Sequence, residues 1–242
     1  MLLGSARQKL GNTSAVRLLV CGRAYRGESR EVQTRTMTSP RIELHQGDLP
    51  EGLVFNGSVA IDTETMGLKP HRDRLCLVQL SAGDNTAHLV QLGLHRSGAP
   101  RLVALLSDPS VLKIFHFARF DIATLKMHLG VVVAPLYCTK IASKLARTYT
   151  DRHGLKDLVS ELTGVELSKQ QQSSDWGAAK LTDQQLHYAA SDVLHLHAIK
   201  ARLDQMLERE GRKELAEACF RFLPARAELD LGGFEDVDIF AH

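Results

Sequence analysis

The sequence predicts an α/β or α+β domain in which a mixed central β-sheet is flanked by helices. Three observations point there: strand-like patterns crowd residues 54–117, helical patterns dominate after Cys138, and the early strands follow one another closely enough to pair directly. Mixed pairing follows, because short turns join the early strands whereas a helix separates the later ones.

The first strand runs through Gly57-Ser58-Val59-Ala60-Ile61-Asp62-Thr63-Glu64-Thr65 and stops at Met66-Gly67. A polar loop, Lys69 to Arg74, leads to a second strand at Leu75 to Ser81. The turn Gly83-Asp84-Asn85 leads to a third at Ala87 to Leu92, and the three read as an antiparallel meander. Pro100 to Leu106 reads as a short helix, Val111 to Phe117 as a buried strand, and Arg119 to Leu129 as a helix ended by Gly130. Val131 to Val133 reads as a short strand, and 138–147 and 154–163 as helices. A long helix is expected over 183–208. Thr182 and Gln185 form a capping box at its start, and Leu186, Ala189, Val193, Leu196, Leu203 and Leu207 mark its buried stripe.

Composition bounds the function classes. No apolar run approaches the roughly 18 residues of a membrane span, so no membrane partner is expected. The formal net charge of +2 argues against a protein that coats DNA non-specifically, and it is unevenly placed. Residues 1–36 carry seven Lys/Arg against Glu28 and Glu31, so the rest of the chain is slightly acidic. This basic leader reads as a poorly ordered extension upstream of Met37, with organelle targeting as the other reading of an Arg-rich, acid-poor segment. Cys21, Cys76, Cys138 and Cys219 lack zinc-ligand or disulfide-framework spacing, which leaves free thiols and a cytoplasmic location as the expectation. The catalytic domain is expected over 37–210. Residues 211–242 are expected to form a helix and an acidic tail that packs on the domain or trails from it.

Asp62 and Glu64 stand two apart on the first strand, so both emerge on one sheet face. Like charges in an apolar setting repel, and a hard divalent cation is the natural compensation. Asp121 follows the buried strand at the start of a helix, where an acid is ordinarily favourable to the dipole. Asp192 lies within the long helix beside Ala189, Ala190 and Ser191, small residues that leave room for a close approach.

In chain order these segments resemble the DEDD superfamily of 3′-to-5′ exonucleases, most closely its ribonuclease D branch. Val59-Ala60-Ile61-Asp62-Thr63-Glu64-Thr65-Met66-Gly67 is similar to the first motif, His116-Phe117-Ala118-Arg119-Phe120-Asp121 to the second, and Tyr188-Ala189-Ala190-Ser191-Asp192 to the third. Ser174-Asp175-Trp176 and Leu181 to Leu186 also look like ribonuclease D sequence. The resemblance implies a ribonuclease H-like fold. It also implies that Asp62, Glu64, Asp121 and Asp192 hold two divalent metal ions, Mg²⁺ or Mn²⁺, for hydrolysis of the 3′-terminal phosphodiester to nucleoside 5′-monophosphates.

The family divides by the residue that positions the attacking water, a Tyr four residues before the last Asp or a His five before it. This sequence has both, Tyr188 and His187. At about 100° per residue, Tyr188 lies roughly 40° around the helix from Asp192 and His187 roughly 140°. Only Tyr188 shares the face of Asp192, so it is assigned the orienting role. Substrate contacts are expected from Met66 as a wedge, Gly67 as a point of close backbone approach, and His116 and Arg119, with Arg72 and Arg74 as further phosphate candidates. Phe120 reads as core, and His195 and His197 as facing solvent or the helix margin. Related second motifs often read His-Asn-Ala-Lys-Phe-Asp, so Phe117 and Arg119 depart from the pattern. The expected substrate is the 3′ end of RNA, including transfer-RNA-like ends, trimmed distributively. DNA and a catalytically silent nucleic-acid scaffold are the alternatives, and the sequence leaves the oligomeric state open.

Overall fold

The computed structural model describes residues 39–93, 98–167 and 174–241. The basic leader, with its expected lack of order and Cys21, lies outside the described residues. A six-stranded mixed sheet in the order β1-β4-β3-β2-β5-β6 carries the domain. Its strands are β1 (Arg41–Gln46), β2 (Ser58–Thr65), β3 (Leu75–Ser81), β4 (Thr86–Gln91), β5 (Leu112–Phe115) and β6 (Leu136–Cys138). The pairs β2–β3 and β3–β4 are antiparallel, the predicted meander, whereas β5 and β6 extend the sheet in parallel beyond β2.

The central strands are apolar because both of their faces are covered. Every residue of β3 is buried, including Gln79 and Ser81. The helices are α1 (Pro100–Ser107), α2 (Ala118–Leu129), α3 (Thr139–Ala146), α4 (Leu155–Thr163), α5 (Asp183–Leu194), α6 (Leu196–Arg209) and α7 (Lys213–Leu231). α5 crosses β2, β3 and β4, α6 packs on α3 and α4, and α7 lies along α2. None of the described helices is long and apolar enough to cross a membrane. Cys76, Cys138 and Cys219 are free thiols.

Four sequence expectations change. β1, an additional strand, lacks a clear apolar face at the sheet edge, since Ile42 is half-buried and Leu44 exposed while the partly buried side chains between them, Glu43 and His45, are polar. The strand expected at Val131 to Val133 is instead a connection. Val131 and Val133 point inward but find no ladder, and the pairing with β5 is made by Leu136–Cys138. The single helix expected over 183–208 turns at His195, so that α5 can follow the sheet while α6 packs on other helices. Finally, His195 and His197 are partly buried. His197 lies against Gly83 and within 3.2 Å of Ser58 Oγ, wedging α6 onto the start of β2.

Candidate active site

Asp62 and Glu64 sit near the C-terminal end of β2, where antiparallel β3 and parallel β5 flank it. The β2–β3 register shifts between Glu64 and Thr65, a bulge that ends the ladder and lets Met66 and Gly67 turn away from the sheet. Across from the two acids lies α5. Thr182 Oγ1 accepts from Gln185 N while Gln185 Oε1 accepts from Thr182 N, completing the predicted capping box. Gln185 Nε2 also donates to the Asp175 carbonyl, tying the 174–177 segment to the helix start. With Ala189 and Ala190 buried against the sheet, α5 sits close enough for Asp192 to meet the β2 acids.

One carboxylate oxygen from each of Asp62, Glu64 and Asp192 lies within 4.8 Å of the others. Asp121, on the first turn of α2, stands just behind them and is only 3 % exposed. Its Oδ1 accepts a 2.7 Å hydrogen bond from Thr63 Oγ1. The structure therefore gathers three of the four acids tightly, with the fourth adjoining Asp62 from the α2 side. Among the described residues no lysine or arginine forms an ion pair with any of them.

The electrostatics follow from that crowding. Burial, followed by repulsion from Asp62, Asp192 and Asp121, raises the Glu64 carboxyl above its ordinary range. Burial raises Asp62, and burial followed by the Asp62 charge raises both Asp121 and Asp192. Tyr188 hydrogen-bonds Asp192, and burial first, then the Asp192 charge, pushes its phenol above the usual value. Tyr188 keeps its proton throughout the physiological range and is a donor rather than a base. His187 points to solvent on the other flank of α5.

The acids floor a cleft of about 710 Å³ whose walls include Met66, Gly67, Leu68, His116, Phe120, Leu155, Trp176 and Tyr188. A larger groove of about 960 Å³, between β6, α6 and α7, contains none of these carboxylates. Met66 is half exposed at the rim. A side-chain carbon on Gly67 would fall 2.4 Å from Asp73 Oδ2, so glycine there makes room for a carboxylate that caps Lys69 N and pairs with Arg72. His116 lines the cleft with Nδ1 2.9 Å from Thr139 Oγ1, and burial depresses its pKa to about 3, so it is a neutral imidazole.

Arg119 is not in this cleft. It grips Asp230 of α7 through two hydrogen bonds of 2.6 and 2.7 Å and also donates to the Glu235 carbonyl. Its turn of α2 faces α7, which draws the guanidinium to the C-terminal segment instead. Arg72 is likewise held by Asp73, and Arg74 donates to the Gly177 and Leu92 carbonyls. Phe120, read as core, is half-buried and lines the cleft wall. Trp176 had no role in the sequence reading. Its ring packs 6.1 Å from that of Tyr188, and its buried Nε1 has no hydrogen-bond partner among the described residues.

Phe117, at the junction of β5 and α2, takes the left-handed conformation with φ 68°. Asn tolerates that region better than Phe, which accounts physically for the Asn common at this place in related motifs. Here Lys140 Nζ lies 4.1 Å from the Phe117 ring centre, a compensating contact.

Comparison with known proteins places this geometry among nucleases. Residues 48–208 match the family model described as 3′-5′ exonuclease. Ribonuclease D of Gluconacetobacter diazotrophicus is 40% identical over 154 residues, covering 64% of this chain and 39% of that protein. Ribonuclease D of Escherichia coli K12 is 34% identical over 154 residues, 64% of this chain and 40% of its own length. The chain thus spans about two fifths of these curated relatives. Among solved structures, Brucella melitensis NrnC with bound Mg²⁺ is 57% identical with a TM-score of 0.79, covering 84% of this chain and 99% of that one. The same protein bound to pGG is 58% identical with a TM-score of 0.81, covering 84% and 100%. Escherichia coli RNase D is 30% identical with a TM-score of 0.63, covering 71% and 45%.

Proposed function

Because the chain belongs to the 3′-5′ exonuclease family, we propose that it is a divalent-metal-dependent exoribonuclease that removes the 3′-terminal nucleotide of short RNAs as a nucleoside 5′-monophosphate. The observation that carries this reading is the convergence of Asp62, Glu64 and Asp192 within 4.8 Å, with Asp121 adjoining. Four acids with raised pKa values and no cationic partner among the described residues fit Mg²⁺ or Mn²⁺, which take oxygen ligands. When bound, such ions supply Lewis-acid activation of water and neutralisation of charge at the phosphodiester.

The remaining work falls to the chain's own side chains. Tyr188 holds its proton, fixes Asp192 and orients the attacking water from the α5 side. Met66 and Leu68 form the exposed rim against which the terminal base rests, and Phe120 offers an aromatic wall. His116, being neutral, serves as a hydrogen-bonding partner for phosphate or ribose rather than as a counter-ion. Trp176, buried behind the cleft wall, braces Tyr188.

A short RNA is favoured as substrate because the match to the NrnC chain bound to pGG runs over all of that chain, whereas the ribonuclease D relatives extend far beyond the matched region. The test uses 5′-labelled pGG, a twelve-nucleotide RNA and the matching DNAs with Mg²⁺, Mn²⁺ or EDTA. Metal-dependent mononucleotide release fastest from pGG is expected. Faster cleavage of the longer RNA refutes the length preference, and faster cleavage of DNA refutes the ribonuclease reading.

A further inference from the structure

A second group of ligating side chains lies on the other face of the sheet. Asp62 pairs across the ladder with Gln79, and Gln79 with Leu89, so these residues share the face of the acids. His88 pairs with Leu80, and Leu80 with Ile61, which puts His88 on the opposite face. Glu43 of edge strand β1 is the register partner of His88, and His45, two residues on, shares its face.

The three side chains meet. His45 Nε2 is 3.1 Å from His88 Nδ1, Glu43 Oε2 is 3.2 Å from His88 Nδ1, and Glu43 Oε2 is 3.9 Å from His45 Nε2. A triangle with those sides has a circumscribed radius of about 2.0 Å, so one point lies within ordinary zinc–nitrogen and zinc–carboxylate bonding distance of all three atoms. Arg41 pairs with the other Glu43 oxygen, Oε1, and thereby orients Oε2 towards the imidazoles. Phe55 packs edge-on against the His88 ring, its centroid 5.8 Å away, and fixes it from the core side. All three ligands are mostly buried, with side-chain exposures of 26, 16 and 11 %.

We propose that Glu43, His45 and His88 form a separate cation site that takes a transition metal of the Zn²⁺ type, leaving one coordination position open. Two imidazole nitrogens select for such a metal over Mg²⁺, whose preference is for oxygen. Without the metal, the facing nitrogens share one proton in a hydrogen bond. The cation takes the place of that hydrogen, which moves to the other nitrogen of its own neutral ring, so that both facing nitrogens become ligands. Lying on the opposite sheet face from Asp62, a metal here cannot touch the scissile bond. Its role is to clip edge strand β1 to β4, adding to their six-residue parallel ladder and the Gln46–Gln91 side-chain hydrogen bond.

The test uses the tag-free full chain carrying Asp62→Asn and Asp192→Asn, which weakens binding in the cleft. Zn²⁺ is titrated by calorimetry, Co²⁺ by its visible absorption, and folding is followed by circular dichroism. One Zn²⁺ per chain is expected in this background, undisturbed by excess Mg²⁺, with a higher thermal midpoint and nitrogen-ligated cobalt bands. His45→Gln and His88→Gln should each weaken binding by about a hundredfold or more, and Glu43→Gln by about tenfold. Loss of zinc binding in the carboxylate variant, or its persistence in folded His45→Gln protein, overturns the proposal. Because His45 is on the edge strand, it decides the matter even if His88→Gln fails to fold.

Discussion

Replacing Tyr188 by Phe removes one oxygen from the cleft and little else. The ring stays packed on Trp176, so the cost in stability is that of the single hydrogen bond to Asp192, about 1 kcal/mol. The catalytic cost should be larger, because the same hydroxyl orients the attacking water. Loss of one such positioned donor typically lowers turnover by about 10²–10³-fold, or roughly 3–4 kcal/mol of transition-state stabilisation. His187→Ala alters an exposed side chain on the other flank of α5 and should leave turnover within about twofold. The assay follows the steady-state shortening of 5′-labelled RNA at saturating Mn²⁺ over a range of RNA concentrations. It is run alongside thermal melts that separate a catalytic loss from unfolding. The effect of Tyr188→Phe should fall on kcat with KM little changed. Greater damage from His187→Ala, or full activity in Tyr188→Phe, would refute the assignment of Tyr188.

Other perturbations test the electrostatics and the side chains around the cleft. Because the cleft acids have raised pKa values, protons compete with metal for them, so Mn²⁺ affinity measured by calorimetry should climb between pH 5.5 and 8, and a flat profile would contradict this. In EDTA, a carboxyl whose folded pKa is raised binds more protons folded than unfolded, so its destabilising effect grows as pH rises from the ordinary carboxylate range towards neutrality. Asp62→Asn should therefore stabilise the metal-free protein at pH 8 by about 1–3 kcal/mol and barely at all at pH 4, and comparison with wild type in thermal melts cancels the histidine contributions. Arg119→Ala should lower stability by about 1 kcal/mol through loss of its Asp230 contacts while leaving KM within about twofold, whereas a tenfold rise in KM with unchanged stability would return Arg119 to the substrate. Phe117→Asn should be near neutral in stability, since relief of the left-handed backbone offsets the lost Lys140 contact, and Phe117→Val should cost about 1–2 kcal/mol.

The legible parts of this protein are those whose cause is local. Asp62 and Glu64 share a face because strands repeat every two residues, and Tyr188 and Asp192 because helices nearly repeat every four. The capping box at Thr182 depends only on residues 182 and 185. The turn at His195 was invisible because the apolar stripe runs on through Val193, Leu196 and Leu203, and only the different partners of α5 and α6 break the helix. β1 was missed because an edge strand whose apolar residues are a half-buried Ile42 and an exposed Leu44 carries little periodic signal, and its parallel register partners lie 45 residues away in sequence. Arg119 was misplaced for the same kind of reason. Its partner Asp230 is separated from it by 111 residues, and no motif near Arg119 signals that contact.

The central claim is that the Asp62, Glu64, Asp121 and Asp192 cluster makes this fold a metal-dependent 3′-5′ exonuclease. The direct measurement follows 5′-labelled RNA by gel after addition of Mn²⁺ to metal-stripped wild type, Asp62→Asn and Asp192→Asn, each shown to be folded. Wild type is expected to shorten the RNA stepwise from its 3′ end only when Mn²⁺ is present, and each variant to lose at least about 10³-fold in rate. Shortening in EDTA, or wild-type rates in a folded Asp62→Asn protein, would contradict it.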